Sequence, residues 1–252
     1  MPLLLGSTLA LAADHAADRA AEIHQRLDTR AAEHARDVAL TLDACSGAVD
    51  QMLLDTLVRL RVPATLFVTQ RWLQRHPDTV TWLQGHAALF QIENHGARHV
   101  PAIVGRALYG MSGPASVDGV LQEVRGGSDA IVQALGVTPR WYRGAGARYD
   151  AASQKAIEGQ GLRIAGFSVN VDDGASLPAA RVAARLRRVQ PGDILLAHLN
   201  HPSAGTGAGL AQALPELQRQ LIGLGTPAAY NARLRDILGA STSARSSSTA
   251  AW

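Results

Sequence analysis

One cysteine, one lysine and few aromatic rings limit what this 252-residue chain can be. With Cys45 alone, no disulfide can form within the chain, and cysteine gives no indication of redox compartment. Lys155 is the only lysine, so the basic residues are almost all arginines, and these are scattered. Net charge is only +3, and aromatics make up 4% of the residues. A nucleic-acid surface needs a basic patch and rings for bases to stack on, so no nucleic-acid partner is expected. No apolar run is long enough for a helix to cross a bilayer, so no integral membrane segment is expected either.

What the chain does have is apolar material, 47% of its residues, enough for one sizeable core. Pro2–Ala12 is a short apolar stretch in which Ala10 and Ala12 are spaced as in a cleavage site. It reads as a signal-peptide remnant over residues 1–12, which predicts a periplasmic or secreted protein, although no positive charge precedes it. A frayed N-terminal helix is the plainer alternative and would leave the protein cytoplasmic. Residues 13–36, Ala-rich and charged, predict a helical lead-in. The tail from 239 to 252, rich in Ser, Thr and Ala, reads as disordered.

Between these, strand and helix signals alternate. Strands are predicted over 38–42, 64–68, 88–92, 141–143, 164–169 and 194–197. Helices are predicted over 49–61, 71–84 (split at Pro77), 116–135, 151–159, 179–189 and 210–224. Such repeated units imply a parallel α/β sheet, doubly wound or closed into a barrel, over residues 37–238.

Four strand ends carry unusual polar residues: Asp43; His95 and His99 in I-E-N-H-G-A-R-H; Arg143 after Trp141-Tyr142; and His198 with His201 in A-H-L-N-H-P. Each has a plain reading, such as a helix cap for Asp43 or an ion-pair partner for Arg143. Their joint position after strands favours chemistry, because active sites of parallel α/β folds collect at the C-terminal ends of strands.

In this order the motifs resemble the polysaccharide deacetylases of the NodB-homology, carbohydrate esterase family 4 type. T-L-D-A-C (Thr41–Cys45) stands for that family's T-F-D-D-G, and H-G-A-R-H (His95–His99) for H-[ST]-x-x-H. R-G-A-G-A-R-Y (Arg143–Tyr149) and L-A-H (Leu196–His198) follow in place. The resemblance implies a distorted (β/α) barrel that removes N-acetyl groups from an N-acetylated polysaccharide or oligosaccharide. Peptidoglycan, chitin-like oligomers and exopolysaccharide are the candidates. It also implies a divalent metal, most often zinc, which polarises the acetamide and activates water. Carried over, His95 and His99 would be metal ligands and Asp43 the general base. His198 would be the general acid, and Arg143 would hold Asp43 ionised and oriented.

Two motifs depart from the family. Ala44 stands where the metal-binding Asp is expected, so the third ligand is open: Asp43 itself, Glu93, Cys45 or His201, with Cys45 read first as a small buried hydrophobe. N-V-D-D-G (Asn170–Gly174) replaces D-x-x-D-W, leaving Asp172, ahead of Asp173, as the carboxylate expected to tune His198. The Gly-rich Leu199–Leu210 reads either as a mobile loop over a cleft or as an ordinary connection. Two further functions stay open: a catalytically inactive glycan-binding relative, and a hydrolase of another amide C–N bond on the same barrel. The sequence leaves the oligomeric state open.

Overall fold

The computed structural model describes residues 20–32 and 35–222. The signal-like 1–12 and the tail 239–252 lie outside the described residues. Eleven strands follow one another as β1 (Ala21–Glu22), β2 (Ala39–Ala44), β3 (Ala64–Val68), β4 (Phe90–Asn94), β5 (Ala107–Leu108), β6 (Met111–Ser112), β7 (Trp141–Tyr142), β8 (Arg148–Tyr149), β9 (Arg163–Ile164), β10 (Val169–Asn170) and β11 (Ile194–His198). Seven α-helices accompany them among the described residues: α1 (Gln51–Leu60), α2 (Gln70–Arg75), α3 (Pro77–Gly85), α4 (Val117–Leu135), α5 (Ala151–Glu158), α6 (Ala179–Leu186) and α7 (Gly205–Ile222).

Seven strands form one parallel sheet in the order β10-β11-β2-β3-β4-β7-β9, curled into a barrel-like shell with helices outside. Side chains alternate along a strand, and β2 shows the result. Leu40, Leu42 and Ala44 belong to the large cluster beneath the helices. Ala39 lies in a second cluster with Phe67, Trp141, Ala165, Ile194 and Leu196. Thr41 and Asp43, on the same side of β2 as Ala39, carry its polar groups inward. Ala44 is fully buried on the helix side, so it leaves no gap at the strand end.

The expected strand over 164–169 is two short pieces, for a physical reason. Ala165 N–H still donates to Tyr142 O (2.9 Å), while Ser168 N–H donates to Ile194 O (2.9 Å). The chain therefore passes from one edge of the sheet to the other within residues 165–168 and draws the two edges together. The N-terminal segment is threaded against this crossing. Gln25 N–H donates to Phe167 O, Phe167 N–H to Ile23 O, and Leu27 N–H to Gly192 O. A Cβ on Gly166 would lie 2.2 Å from Ile23 O, so only glycine lets the two backbones meet there.

The helical lead-in expected over 13–36 is not what its described part forms. Ala21–Glu22 pairs antiparallel with Arg148–Tyr149, and no α-helix occurs in residues 20–32. Partner strands override the helix propensity of the alanines. The Gly-rich stretch after β11 is also not a long loop. Helix α7 begins at Gly205, because a Cβ at Gly205 or Gly209 would come within 2.3 Å of Ala179 N or 2.5 Å of Val182 Cβ on α6. Pro77 does split the 71–84 segment, as the N1 residue of α3.

Arg143, directly after β7, is fully buried in the barrel interior. Its Nη1 donates to Thr41 Oγ1 (2.8 Å) and Asp43 Oδ1 (2.9 Å), and its Nη2 to Gly166 O (3.1 Å). Its guanidinium carbon sits 4.3 Å from the Phe67 ring centroid. Burial alone would push the Asp43 carboxyl up, but the Arg143 charge, helped by His95 and His198, holds it below the usual range. The stability that Asp43 contributes is thus present above its unfolded-state pKa and lost as pH falls through the folded one. Arg143→Met, which leaves that carboxylate buried without its cation, should cost about 3–5 kcal/mol in urea unfolding at neutral pH. Because Asp43 then titrates higher, the deficit should shrink as pH is lowered toward about 4. A deficit that grows on acidification would contradict this account.

Candidate active site

The register of the central strands builds the site. His198 on β11 pairs with Asp43 on β2, so an imidazole and a carboxylate emerge side by side at the C-terminal ends of adjacent parallel strands. A cleft of about 660 Å³ opens over them, with Cys45, His99 and His201 among its walls.

His95 follows the last residue of β4 and is buried. Its Nδ1 lies 2.6 Å from the carbonyl of Arg143, an acceptor only, so the proton is on Nδ1 and the Nε2 lone pair is free. That Nε2 is 3.5 Å from Cys45 Sγ and 3.7 Å from Asp43 Oδ2. His99 comes back to it through a loop, not a helix: Gly96 and His99 both have positive φ, and the two rings stand 4.9 Å apart. The clamp on this loop is Glu123 of α4, which sequence reasoning missed. Its Oε1 accepts from the N–H groups of Arg98 (2.7 Å) and Val100 (3.1 Å). A visible signal was a carboxylate on the helix face that otherwise presents Val120, Val124, Gly127 and Ile131 to the interior.

The ligand atoms of Cys45, His95 and His99 all lie within 4.8 Å of one another, a trio that does not include Asp43. Beside the two histidines this trio has Cys45, while Asp43, the ligand first expected, keeps its Oδ2 at 3.7 Å from His95 Nε2. Cys45 is buried, as expected of a small hydrophobe, and its Sγ also stands within reach of both imidazoles. Thr69 fixes its backbone by donating from Oγ1 to the Cys45 carbonyl. Glu93 is excluded: its Oε2 accepts from the N–H groups of Arg140 (2.7 Å) and Trp141 (2.8 Å) and fastens the start of β7. His201 lines the cleft, its ring 6.5 Å from that of His198, and stands outside the trio.

The donor set suits a metal. Burial lowers the pKa of both imidazoles, His99 to about 3, so both are neutral, the form a metal needs. Burial, with Asp43 and Asp172 behind it, pushes the Cys45 thiol well up, so without a cation it keeps its proton. A divalent ion would displace that proton, and one sulfur with two nitrogens is a set that zinc favours.

Opposite the trio, His198 Nδ1 donates to Asp172 Oδ1 (2.9 Å). Asp172 Oδ2 accepts from His198 N–H and from Thr206 Oγ1, both at 2.8 Å. Burial would lower the His198 pKa, but the Asp172 carboxylate outweighs it and the net shift is upward. The same partnership holds Asp172 below the usual range against its own burial. Asp173 turns away to pair with Arg185 (2.7 Å), and Asn170 Oδ1 caps the turn by accepting from Asp173 N–H. Thr206 gives no signal in the sequence, because the Gly-rich residues around it read as a loop or connection and not as the start of a helix.

The family model for polysaccharide deacetylases matches residues 30–165. No curated protein sequence matches the chain. Among solved structures, a CE4 family pseudoenzyme from Bacillus anthracis is 20% identical with a TM-score of 0.64, over 79% of this chain and 65% of that one. A mutant of it with restored enzymatic activity is 22% identical with the same TM-score, over 79% of this chain and 67% of that one. A peptidoglycan N-acetylglucosamine deacetylase is 20% identical with a TM-score of 0.65, over 78% of this chain and 86% of its own. At these identities the likeness is one of fold, and it is the NodB-type barrel that the motifs implied. With more than half of its length matched by the family model, the chain belongs to the polysaccharide deacetylase family.

Proposed function

We propose that the protein is a metal-dependent N-deacetylase of amino-sugar polymers such as peptidoglycan or chitin-like oligomers. The observation that carries this reading is the meeting, over one cleft, of the Cys45–His95–His99 trio, the Asp43–Arg143 pair and the His198–Asp172 pair. The apolar Pro2–Ala12 stretch is in keeping with action outside the cytoplasm, where such polymers lie.

Cys45, His95 and His99 would hold the ion, most naturally zinc. Bound there, it would supply a Lewis acid for the acetamide carbonyl and for water. Asp43, kept ionised by Arg143, takes the proton that the attacking water loses. His198 enters protonated, because Asp172 stabilises its charge, and gives its Nε2 proton to the departing amine. Arg143 does not need to touch substrate; it fixes Asp43 and, through its carbonyl, the tautomer of His95.

A second reading, a glycan-binding protein without turnover, draws on Ala44, which offers no ligand where the family has a carboxylate. Acetate assays on N-acetylglucosamine oligomers separate the two. His198→Ala should lower kcat by about 10²–10⁴-fold with metal content unchanged. Wild type that binds oligomers yet releases no acetate with added zinc would leave only the binding reading. Asp172→Asn removes the charge that keeps His198 protonated, so the alkaline limb of the pH–rate profile should move to lower pH. An imidazole titration by NMR should show the same downward shift. For the ligand set, cobalt-loaded wild type should show a thiolate-to-metal charge-transfer band in the near ultraviolet that disappears in Cys45→Asp. Stoichiometric cobalt without that band would remove Cys45 from the set.

A further inference from the structure

The hairpin β5–β6 is tied by the two-residue turn Tyr109-Gly110, with Leu108 paired to Met111. Both turn residues have positive φ, +50° at Tyr109 and +78° at Gly110, the signature of a type I′ turn. Asn-Gly is the favoured pair at such a turn, and a bulky aromatic in the left-handed region is an outlier that costs stability. The strained ring gains no compensating burial. Tyr109 is 72% exposed, the only aromatic among the exposed large hydrophobic side chains of the described residues.

The hairpin is laid down beside the reaction centre. A Cβ on Gly146 would come within 2.5 Å of Leu108 Cδ2 and 3.2 Å of Tyr109 Cε2, so the glycine of the R-G-A-G-A-R-Y loop lets the ring lie close. Tyr109 and Met111 line the same cleft as Asp43, His99 and His198. Asn170 and Asp173 bring polar groups to the same cleft, and Phe167, which also lines it, is buried where Tyr109 is exposed. The cleft, at about 660 Å³, also has more room than one reacting sugar fills.

We infer that Tyr109 is the stacking platform for the pyranose next to the reacting sugar of the bound chain. The inference rests on the deacetylase reading for its substrate class. An exposed aromatic face takes the apolar C–H face of a sugar ring, leaving the hydroxyls in water, and a turn strained to present the ring fixes its angle. A small acetylated molecule would engage only the ion, Asp43 and His198, and would not reach the platform.

The test uses the zinc-loaded full chain and chitobiose through chitopentaose. Tyr109→Asn removes the ring while placing the favoured residue in the turn, so its thermal midpoint should be no lower than wild type. Its KM for chitopentaose should rise about tenfold, with kcat unchanged and the effect shrinking as the oligomer shortens. Tyr109→Phe should behave as wild type, since the face and not the hydroxyl does the binding. An equal loss on every length, or no loss on any, overturns the platform.

Calorimetric binding of chitopentaose to zinc-loaded His198→Gln, with and without Tyr109→Asn, separates this inference from the deacetylase reading. If wild type releases no acetate but Tyr109→Asn weakens binding tenfold, the platform stands and the enzyme reading falls. Binding unaffected by Tyr109→Asn, or no binding at all, overturns the platform.

Discussion

A single buried guanidinium organises this molecule. Arg143 sits inside the barrel with no solvent to hydrate it, so every donor must find an acceptor. It finds them on two separate pieces of chain: Thr41 and Asp43 on β2, and the carbonyls of Ala165 and Gly166 in the crossing that closes the sheet. Moving either piece would strand a buried charge. The same residue decides the electrostatics of the candidate site, because the carboxylate that balances it is one that lines the cleft. Fold and site therefore share one constraint.

Much of the frame was legible because short-range physics dominates there. The run Ala64–Val68 is fully buried on both faces and reads as an uninterrupted apolar strand, which is what it is. Ser116 caps α4 through Gly119 N–H, and Pro77 breaks a helix where a missing donor must break one. The 164–169 segment misled because periodicity carries no information about a change of partner halfway along. The glycines after β11 misled because their smallness serves a close helix–helix contact, a long-range fact, and not a flexible loop.

The site divides the same way. Asp43, His95, His99, Arg143 and His198 stand out as polar residues at strand ends, and the structure brings all five to one place. The choice of Asp172 over Asp173 depends on which way a tight turn throws each carboxylate, and residue order alone does not say. Cys45 was harder. Along β2 the side chains alternate, Asp43 inward and Ala44 outward, and the chain leaves the strand at the next residue. The position one step beyond Ala44 is then the one that swings back to face His95. That position is where the proposed site finds its third donor, while the small side chain at Ala44 joins the outer core.

The closure of the barrel also has a bearing on how the chain folds. Residues 23–27 are synthesised well before their hydrogen-bond partners Phe167 and Gly192, contacts of very long sequence separation. Contacts of that kind form late, since the loop entropy must be overcome before they give anything back. Asp43 and His198 are separated by almost the same stretch of chain, and they meet across the β2–β11 pairing next to that seam. Docking of the N-terminal segment and pairing of the two reactive strands thus belong to the same late step. A nascent chain that has built only its first strands and helices holds half of the candidate site, and the other half joins it when the seam closes.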